Sequence, residues 1–379
     1  MARYTGSFSE VSAIDLGVHA SKAAIERSGV NPAEIDHAIF GNVLQTSSDA
    51  IYGARHVGLK AGLKMETPAV TVNRLCGSGI EAVIQAAQRI LLDEANLVLA
   101  GGMENMTQAP FVIRGARTGL KLGNGVLEDF LFVGLTDTFC GLPMALTAEK
   151  LAEQTGVTRN DSDAYALRSQ QAAEAAHKAG YLREEIVPVE VRQGRKAILV
   201  SEDDHRRPET TMESLEKLPP SFKKDGMVTA GNASGIVDGA AAVVVTKEKI
   251  ARERGLKPIG RIVSWAVAGV DPTIMGIGPV PATRKALQLA GMKLEQIDRV
   301  EVNEAFASQY LAVEKELGLD RDKTNVNGGA IALGHPLGAS GTRMLIAVLN
   351  ELRRKNLRFG LATACIGGGQ GIAMIVEAA

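Results

Sequence analysis

Apolar residues recur along this chain with two different periods, and the change from one to the other marks its elements. Ser12–Ser28 has helical spacing and stops at Gly29. Asn31-Pro-Ala-Glu-Ile-Asp36 then leads into the strand-like His37-Ala-Ile-Phe40 and a loop from Gly41. Ala69–Leu75 is a short apolar run rich in β-branched residues, the pattern of a buried strand. Beyond Gly79 the apolar positions Ile80, Val83, Ile84, Ala87, Ile90 and Leu91 return to helical spacing. Cys76-Gly77-Ser78-Gly79 therefore falls where a strand turns into a helix. Leu97-Val-Leu-Ala100 closes this series as a strand running into Gly101-Gly102.

The same series occurs a second time. Pro281–Ala290 predicts a helix that stops at Gly291, followed by Lys293-Leu-Glu-Gln-Ile-Asp298 and the strand-like Arg299-Val-Glu-Val302. Gly29 matches Gly291, Ile35 matches Ile297 and Asp36 matches Asp298, each pair 262 residues apart. At that same distance Gly77-Ser78-Gly79 falls on Ala339-Ser340-Gly341, beyond which Met344, Leu345, Val348, Leu349 and Leu352 recur at helical spacing. Leu361–Cys365 runs into Gly367-Gly368-Gly369 as Leu97–Ala100 runs into its glycines. A period this long is a duplicated domain. Strands alternating with helices in each copy predict α/β units in layered sheets, with the two glycine turns back to back on shared central helices.

Two features break the repeat. Between Met106 and about Ala230 the first copy carries an insertion with a polar helix, Asp161–Ala179, and the basic segments His205-Arg-Arg-Pro208 and Lys217–Lys224. The second copy opens with a strand, Arg261–Ala268, whose partner falls largely ahead of Met1. The first copy is thus expected to lack its opening strand, the chain either starting late or filling the place poorly with Met1–Phe8.

Composition narrows the class. The 379 residues are 45% hydrophobic and 22% charged with a formal net charge of −1, which excludes nucleic-acid binding by bulk charge. Three cysteines make no disulfide framework and point to a reducing compartment, read as cytoplasmic. No apolar run is long enough to span a membrane. The first residues have neither a secretion-signal core nor the length of an Arg-rich transit peptide. No pair among the six histidines has metal-ligand spacing.

Candidate chemistry collects on the loops where strands end. Cys76 precedes a helix N-terminus, whose free N–H groups and dipole favour a thiolate. Asn303-Glu-Ala-Phe306 follows a strand. His335 stands in Gly334-His-Pro336, outside any regular helix. Cys365-Ile-Gly-Gly-Gly369 ends a strand with backbone N–H groups free to face a site. Taken singly, each has a plain structural reading, as a core cysteine or a turn asparagine.

Together, Asn73-Arg-Leu-Cys76-Gly-Ser-Gly79, Gly101-Gly-Met-Glu104, Asn303-Glu-Ala-Phe306, Asn325-Val-Asn-Gly-Gly-Ala-Ile-Ala-Leu-Gly-His335-Pro and Cys365-Ile-Gly-Gly-Gly369 resemble the motifs of the thiolases, the acetyl-CoA acetyltransferases and 3-ketoacyl-CoA thiolases, in order and spacing from about Ser7 to the C-terminus. Ser47–Tyr52, Leu142-Pro-Met144 and Gly276–Pro281 are most similar to the mitochondrial-type 3-ketoacyl-CoA branch, and Met103–Met106 to the bacterial biosynthetic one. The resemblance implies a duplicated α-β-α-β-α layered fold with two mixed five-stranded sheets. Its halves are 1–105 with 231–255, and 256–379, around an inserted loop domain at 106–230. It implies Cys76 as the acyl-carrying nucleophile, His335 as its base and Cys365 as the acid/base at the α-carbon. It implies one oxyanion site formed by His335 and a water on Asn303, and another formed by the N–H groups of Cys76 and Gly367. Arg207 and Ser234 are implied as coenzyme A contacts, and Met144, Phe222 and Phe306 as pocket walls. Coenzyme A and acyl-CoA or 3-ketoacyl-CoA are the implied partners, with no cofactor, no metal, and a homodimer or homotetramer as the assembly.

Two departures stand out. Pro143 replaces the histidine that biosynthetic thiolases carry before the residue matching Met144, which suits longer or different acyl chains. The missing opening strand is expected in the middle of its sheet, where its loss exposes two edges. A carrier-protein condensing enzyme on the same fold is the alternative, and Cys365 argues against it. A non-enzymatic acyl-CoA-binding relative would not need all four reactive side chains.

Overall fold

The computed structural model describes residues 1–194 and 196–379. The first half opens with β1 (Ala2–Arg3) and α1 (Ala13–Ser28). Ser12 caps α1 by accepting the Asp15 N–H at 3.0 Å, and Gly29 ends it in the left-handed conformation at φ 70°. Then follow β2 (His37–Gly41), α2 (Gly53–Ala61), β3 (Ala69–Val72), α3 (Ser78–Leu91) and β4 (Leu97–Glu104). The insertion holds two long helices, α4 (Met144–Thr155) and α5 (Arg159–Lys178), the latter started by a Thr158/Asp161 capping box. The chain returns to the first sheet as β5 (Val237–Thr246), antiparallel to β4 from Gly239 opposite Glu104 to Thr246 opposite Leu97.

The second half comprises β6 (Gly260–Gly269), α6 (Pro279–Ala290), β7 (Arg299–Val302), α7 (Ala307–Leu317), α8 (Leu337–Arg354), β8 (Phe359–Ile366) and β9 (Gln370–Ala378). Strand order is β1-β5-β4-β2-β3 in the first sheet and β6-β9-β8-β7 in the second. In the second sheet the place of β3 is reduced to a single bridge between Val300 and Thr324. Both sheets are mixed, with β2 parallel to β3 and β4, and β7 parallel to β8.

Burial sorts these elements into five layers. Helices α3 and α8 bury Ile80, Val83, Ile90, Met344, Val348 and Leu352 between the sheets, against Val98 and Ala100 on one side and Ala364 and Met374 on the other. Helices α1 and α2 cover the outer face of the first sheet, and α6 and α7 that of the second. The central helices meet through their glycine turns. A β-carbon on Gly79 would lie 2.6 Å from the Thr342 nitrogen, and one on Gly341 2.4 Å from the Ile80 nitrogen. Only glycine permits that approach.

The opening strand corrects the expectation from sequence. Its place is an edge, not the middle: β6 pairs with β9 alone, and β1 with β5 alone. Only Ala2 and Arg3 pair, opposite Asp238 and Val237. Thr5–Phe8 then turns back, with the Gly6 N–H on the Arg3 carbonyl at 2.9 Å. Shortening an edge strand frees one ladder rather than two, so the rest of the sheet keeps its pairing.

Candidate active site

The Cys76 turn is built by its neighbours. Asn73 Oδ1 accepts the Leu75 N–H at 2.9 Å; Ser78 Oγ accepts the Arg74 N–H at 2.8 Å and donates to the Leu75 carbonyl at 2.7 Å. Between them Leu75 is held at φ 46°, a region costly for a branched side chain and retained here by those bonds. Cys76 is thereby set against Val43, Leu44, Met106 and Leu337, partly buried.

The electrostatics overturn the expectation of a stabilised thiolate. Burial pushes the Cys76 thiol up to about 11, the negative charge of Glu104 adding to it, against the opposing N–H groups of Gly367 and of Cys76 itself. At that turn, desolvation outweighs the N–H groups that face the sulfur. Cys365, at the end of β8, is fully buried, and burial together with the nearby Cys76 raises its thiol far above the ordinary range. Around it pack Met275, Ala305, Met144 and Phe306.

His335 enters from the second half just before α8. Its N–H donates to the Gly235 carbonyl at 2.9 Å, locking the loop to the segment that follows the insertion. Nδ1 lies 2.5 Å from Ser340 Oγ, whose hydroxyl donates to the Pro336 carbonyl at 3.1 Å. With that hydroxyl committed, Nδ1 carries the proton and Nε2 the lone pair. Nε2 faces the Asn303 Nδ2 donor at 3.3 Å. Burial, helped by the Arg343 charge, lowers His335 to about 3 and keeps the imidazole neutral. Asn303 is fully buried, and its Oδ1 has no hydrogen-bond partner among the described residues.

Two buried carboxylates hold these loops. Glu104 accepts from Asn42 Nδ2, from the N–H groups of Val43 and Leu44, and from the Gly338 N–H at 2.9 Å, so it ties the Cys76 side to the start of α8. Glu304, beside Asn303, accepts from Tyr165, Ser169, Asn325 and the Ile331 N–H, tying α5 to the loop before His335. Sequence reading passed over Ser340, Glu104 and Glu304. Their only signal was membership of the Ala339-Ser-Gly341, Gly101–Glu104 and Asn303–Phe306 segments.

The residues named for coenzyme A are placed unequally. Ser234 reaches the loop after Asn303, its N–H on the Ala305 carbonyl at 3.0 Å, and Met144 and Phe306 line the Cys365 side. Arg207 and Phe222 are exposed on the insertion. The Arg207 N–H is anchored on Gln170 Oε1 at 2.9 Å, and His205, two residues earlier, packs against Gly235. Among the described residues, no three His, Cys, Asp or Glu side chains are placed to hold a metal ion.

Two cysteines, a neutral imidazole and an amide with an open acceptor thus converge from both halves. Such a set can take up an acyl group, move a proton at a neighbouring carbon and receive charge on oxygen. Comparison with known proteins agrees. The description "Thiolase, N-terminal domain" matches residues 1–249 and "Thiolase, C-terminal domain" residues 256–378. The mitochondrial 3-ketoacyl-CoA thiolase of Homo sapiens is 54% identical over 375 residues, covering 99% of this chain and 94% of that protein. The acetyl-CoA acetyltransferase of Escherichia coli (strain K12) is 50% identical over 376 residues, 99% of this chain and 95% of its own length. The crystal structure of the human mitochondrial 3-ketoacyl-CoA thiolase in complex with CoA superposes with a TM-score of 0.97 at 53% identity, over 100% of this chain and 95% of that one.

Proposed function

Since the chain belongs to the thiolase family and is an acyltransferase of coenzyme A thioesters, we propose that it cleaves 3-ketoacyl-CoA to acetyl-CoA and a shortened acyl-CoA through an acyl-Cys76 intermediate, and catalyses the reverse condensation of two acetyl-CoA. Cys76 Sγ attacks the 3-keto carbon as its proton passes to His335 Nε2. The C2–C3 bond breaks, its electron pair leaves as the acetyl-CoA enolate, and Cys365 protonates that carbon. The thiol of a second coenzyme A reprotonates Cys365 and attacks the acyl-Cys76 thioester, and His335 returns its proton to Cys76. Charge on the tetrahedral oxygen falls to the N–H groups of Cys76 and Gly367. Charge on the enolate oxygen falls to His335 and to a water donating to Asn303 Oδ1. Each such donor is worth about 3 kcal/mol of barrier. The thioester itself acidifies the α-proton, so the reading calls for no cofactor beyond coenzyme A as substrate. The observation that carries it is the Asn303–His335 pair at 3.3 Å with Asn303 Oδ1 still open.

Arg207 and Ser234 are assigned to coenzyme A, and Met144, Phe222 and Phe306 to the pocket wall. The apolar Leu142-Pro143-Met144 turn favours acyl chains longer than four carbons. Rates on acetoacetyl-, 3-ketohexanoyl- and 3-ketooctanoyl-CoA test this: reaction with the four-carbon substrate alone would reverse it. For Cys76→Ala we expect loss of both thiolysis and acyl labelling; surviving label would move the nucleophile elsewhere. A homodimer or homotetramer is supported by the open outer edge of β3 and by exposed Phe111, Leu122 and Phe139 on the insertion, and light scattering decides it. Three free thiols support a reducing compartment, read as the cytoplasm and checked by fractionation.

A further inference from the structure

The two N–H groups assigned above to the tetrahedral oxygen come from opposite halves of the chain, so neither backbone alone sets their spacing. The Cys76 N–H belongs to the turn before α3, and the Gly367 N–H to the hairpin between β8 and β9. Both face the Cys76 sulfur. The hairpin tip has no side chain of its own to restrain it. Gly367, Gly368 and Gly369 are consecutive, the last two at φ 80° and 81°, and the ladder closes only at Ile366 opposite Gln370.

One side chain spans the two segments. Arg74 stands two residues before Cys76, its own N–H held by Ser78 Oγ at 2.8 Å. Its Nε donates to Glu81 Oε2 on α3 at 2.9 Å, and Gln85 Nε2 donates to the other Glu81 oxygen at 2.9 Å. Its Nη1 donates to Gln370 Oε1 at 3.0 Å, 296 positions away. Glu81 is buried, so the first bond fixes the guanidinium plane to the helix that follows Cys76. The second then fixes Gln370, the residue directly after the glycines. A planar guanidinium bonded through two nitrogens sets orientation as well as distance. The apolar contacts at this junction act differently. Gly77 packs on Ile366, where a β-carbon would lie 2.6 Å from Cδ1. Such packing limits how closely the halves approach, but it has no direction and does not aim the Gly367 N–H.

We propose that Arg74 is a positioning residue: by joining α3 to Gln370 it aligns the Gly367 N–H with the Cys76 N–H on one tetrahedral oxygen. The proposal rests on the acyl-Cys76 reading above. It ties Arg74 to the steps that pass through that oxygen, the transfer of an acyl group to and from Cys76. Exchange of the α-protons of acetyl-CoA passes through the enolate instead, whose oxygen is assigned to His335 and the water on Asn303. Arg74 therefore serves one half of the chemistry and leaves the other alone.

The test compares the two rates in Arg74→Ala and in Gln370→Ala, the second of which leaves the Arg74–Glu81 pair in place. Acetyl transfer from acetyl-CoA to Cys76 is followed by rapid quench and mass spectrometry at saturating substrate, and α-proton exchange by deuterium loss. Transfer should fall about ten-fold in each variant, less than the roughly 100-fold or more of removing an oxyanion donor outright, while exchange stays within about two-fold. The double variant should fall no further than either single one, since both remove the same tie. Unchanged transfer would show that the packing of Gly77 on Ile366 suffices, and would overturn the proposal. Transfer and exchange falling together would make Arg74 a general brace and overturn it as well. So would additive losses in the double variant, because the two side chains would then act separately. If the unsubstituted protein exchanges α-protons but takes no acetyl label at Cys76, the acyl-Cys76 reading itself fails, and this proposal with it.

Discussion

Alkylation of Cys76 across pH tests whether its nucleophile is stored as a thiolate or made during attack. A thiol raised from 9.0 to about 11 holds about 100-fold less thiolate at neutral pH. Cys76 keeps part of its surface open, and water there moderates the shift, so 100-fold is the upper bound and about ten-fold the lower. Burial raises the Cys76 thiol and lowers His335, so moving the proton from Cys76 to His335 in the resting site is uphill on both sides. The resting pair is therefore neutral, and proton transfer accompanies attack on the substrate.

Iodoacetamide modification of the Cys76 peptide, followed by mass spectrometry from pH 6 to 10, reads this directly. The logarithm of the rate should climb with unit slope and no plateau near neutrality, at pH 7 lying about ten- to 100-fold below an ordinary thiol. Replacing His335 by alanine should cost at least about 100-fold in turnover, the scale of a general base, and shift the alkylation profile little. A plateau between pH 6 and 8, or loss of alkylation in step with turnover, would show a resting ion pair and refute the reasoning.

Four other outcomes follow from the site and fold. Cys365→Ser should retain acylation of Cys76 while α-proton exchange of acetyl-CoA falls at least about 100-fold, read by deuterium loss. Ser340→Ala should free the His335 tautomer and lower kcat about ten- to 100-fold with KM little changed, since Ser340 acts only through the imidazole. Gly102→Ala puts a β-carbon 1.8 Å from the Gly338 carbonyl oxygen and should cost about 3 kcal/mol or more in denaturant melts, whereas Gly125→Ala, with open space around it, should be neutral. His335, lowered in the folded state, takes its proton in the unfolded chain below about pH 6.5. Its contribution is whole above that pH and is lost as pH falls toward 3, by up to about 1.4 kcal/mol per unit, so His335→Ala should flatten the acid limb of the stability curve.

The duplication was legible because it is written in apolar spacing, which survives wherever a helix or strand must bury one face. The strands at His37 and Arg299 and the helices closed by Gly29 and Gly291 lie where that spacing put them. The meeting of Gly79 and Gly341 followed from it. Strand order did not. Which neighbour a strand takes is settled by crossovers that leave no mark on the strand itself, so the opening strand was placed in the sheet's middle when its ladder has one side only. The sign of the Cys76 perturbation was misread for a related reason. A helix N-terminus can be read from a sequence, whereas the desolvation that raises the thiol comes from Val43, Leu44, Met106 and Leu337, which lie far apart along the chain.

Glu104 and Glu304 show what such a reading must miss even when it has the right segments in hand. Each lies in a motif already singled out, and each acts by accepting backbone N–H groups, which any residue offers. Glu104 takes the N–H of Gly338, 234 positions away, and thereby fixes the loops flanking Cys76 against the helix that follows His335. Glu304 draws α5 of the insertion onto the Ile331 segment, so the inserted region helps to hold the loop that carries His335. Burial pushes Glu104 up to about 7 in spite of its N–H donors. A carboxylate is kept there at the cost of raising the neighbouring thiol. That cost is consistent with a site whose thiol is deprotonated only during reaction: burial first, with the Glu104 charge adding to it, keeps Cys76 protonated until a substrate carbonyl arrives.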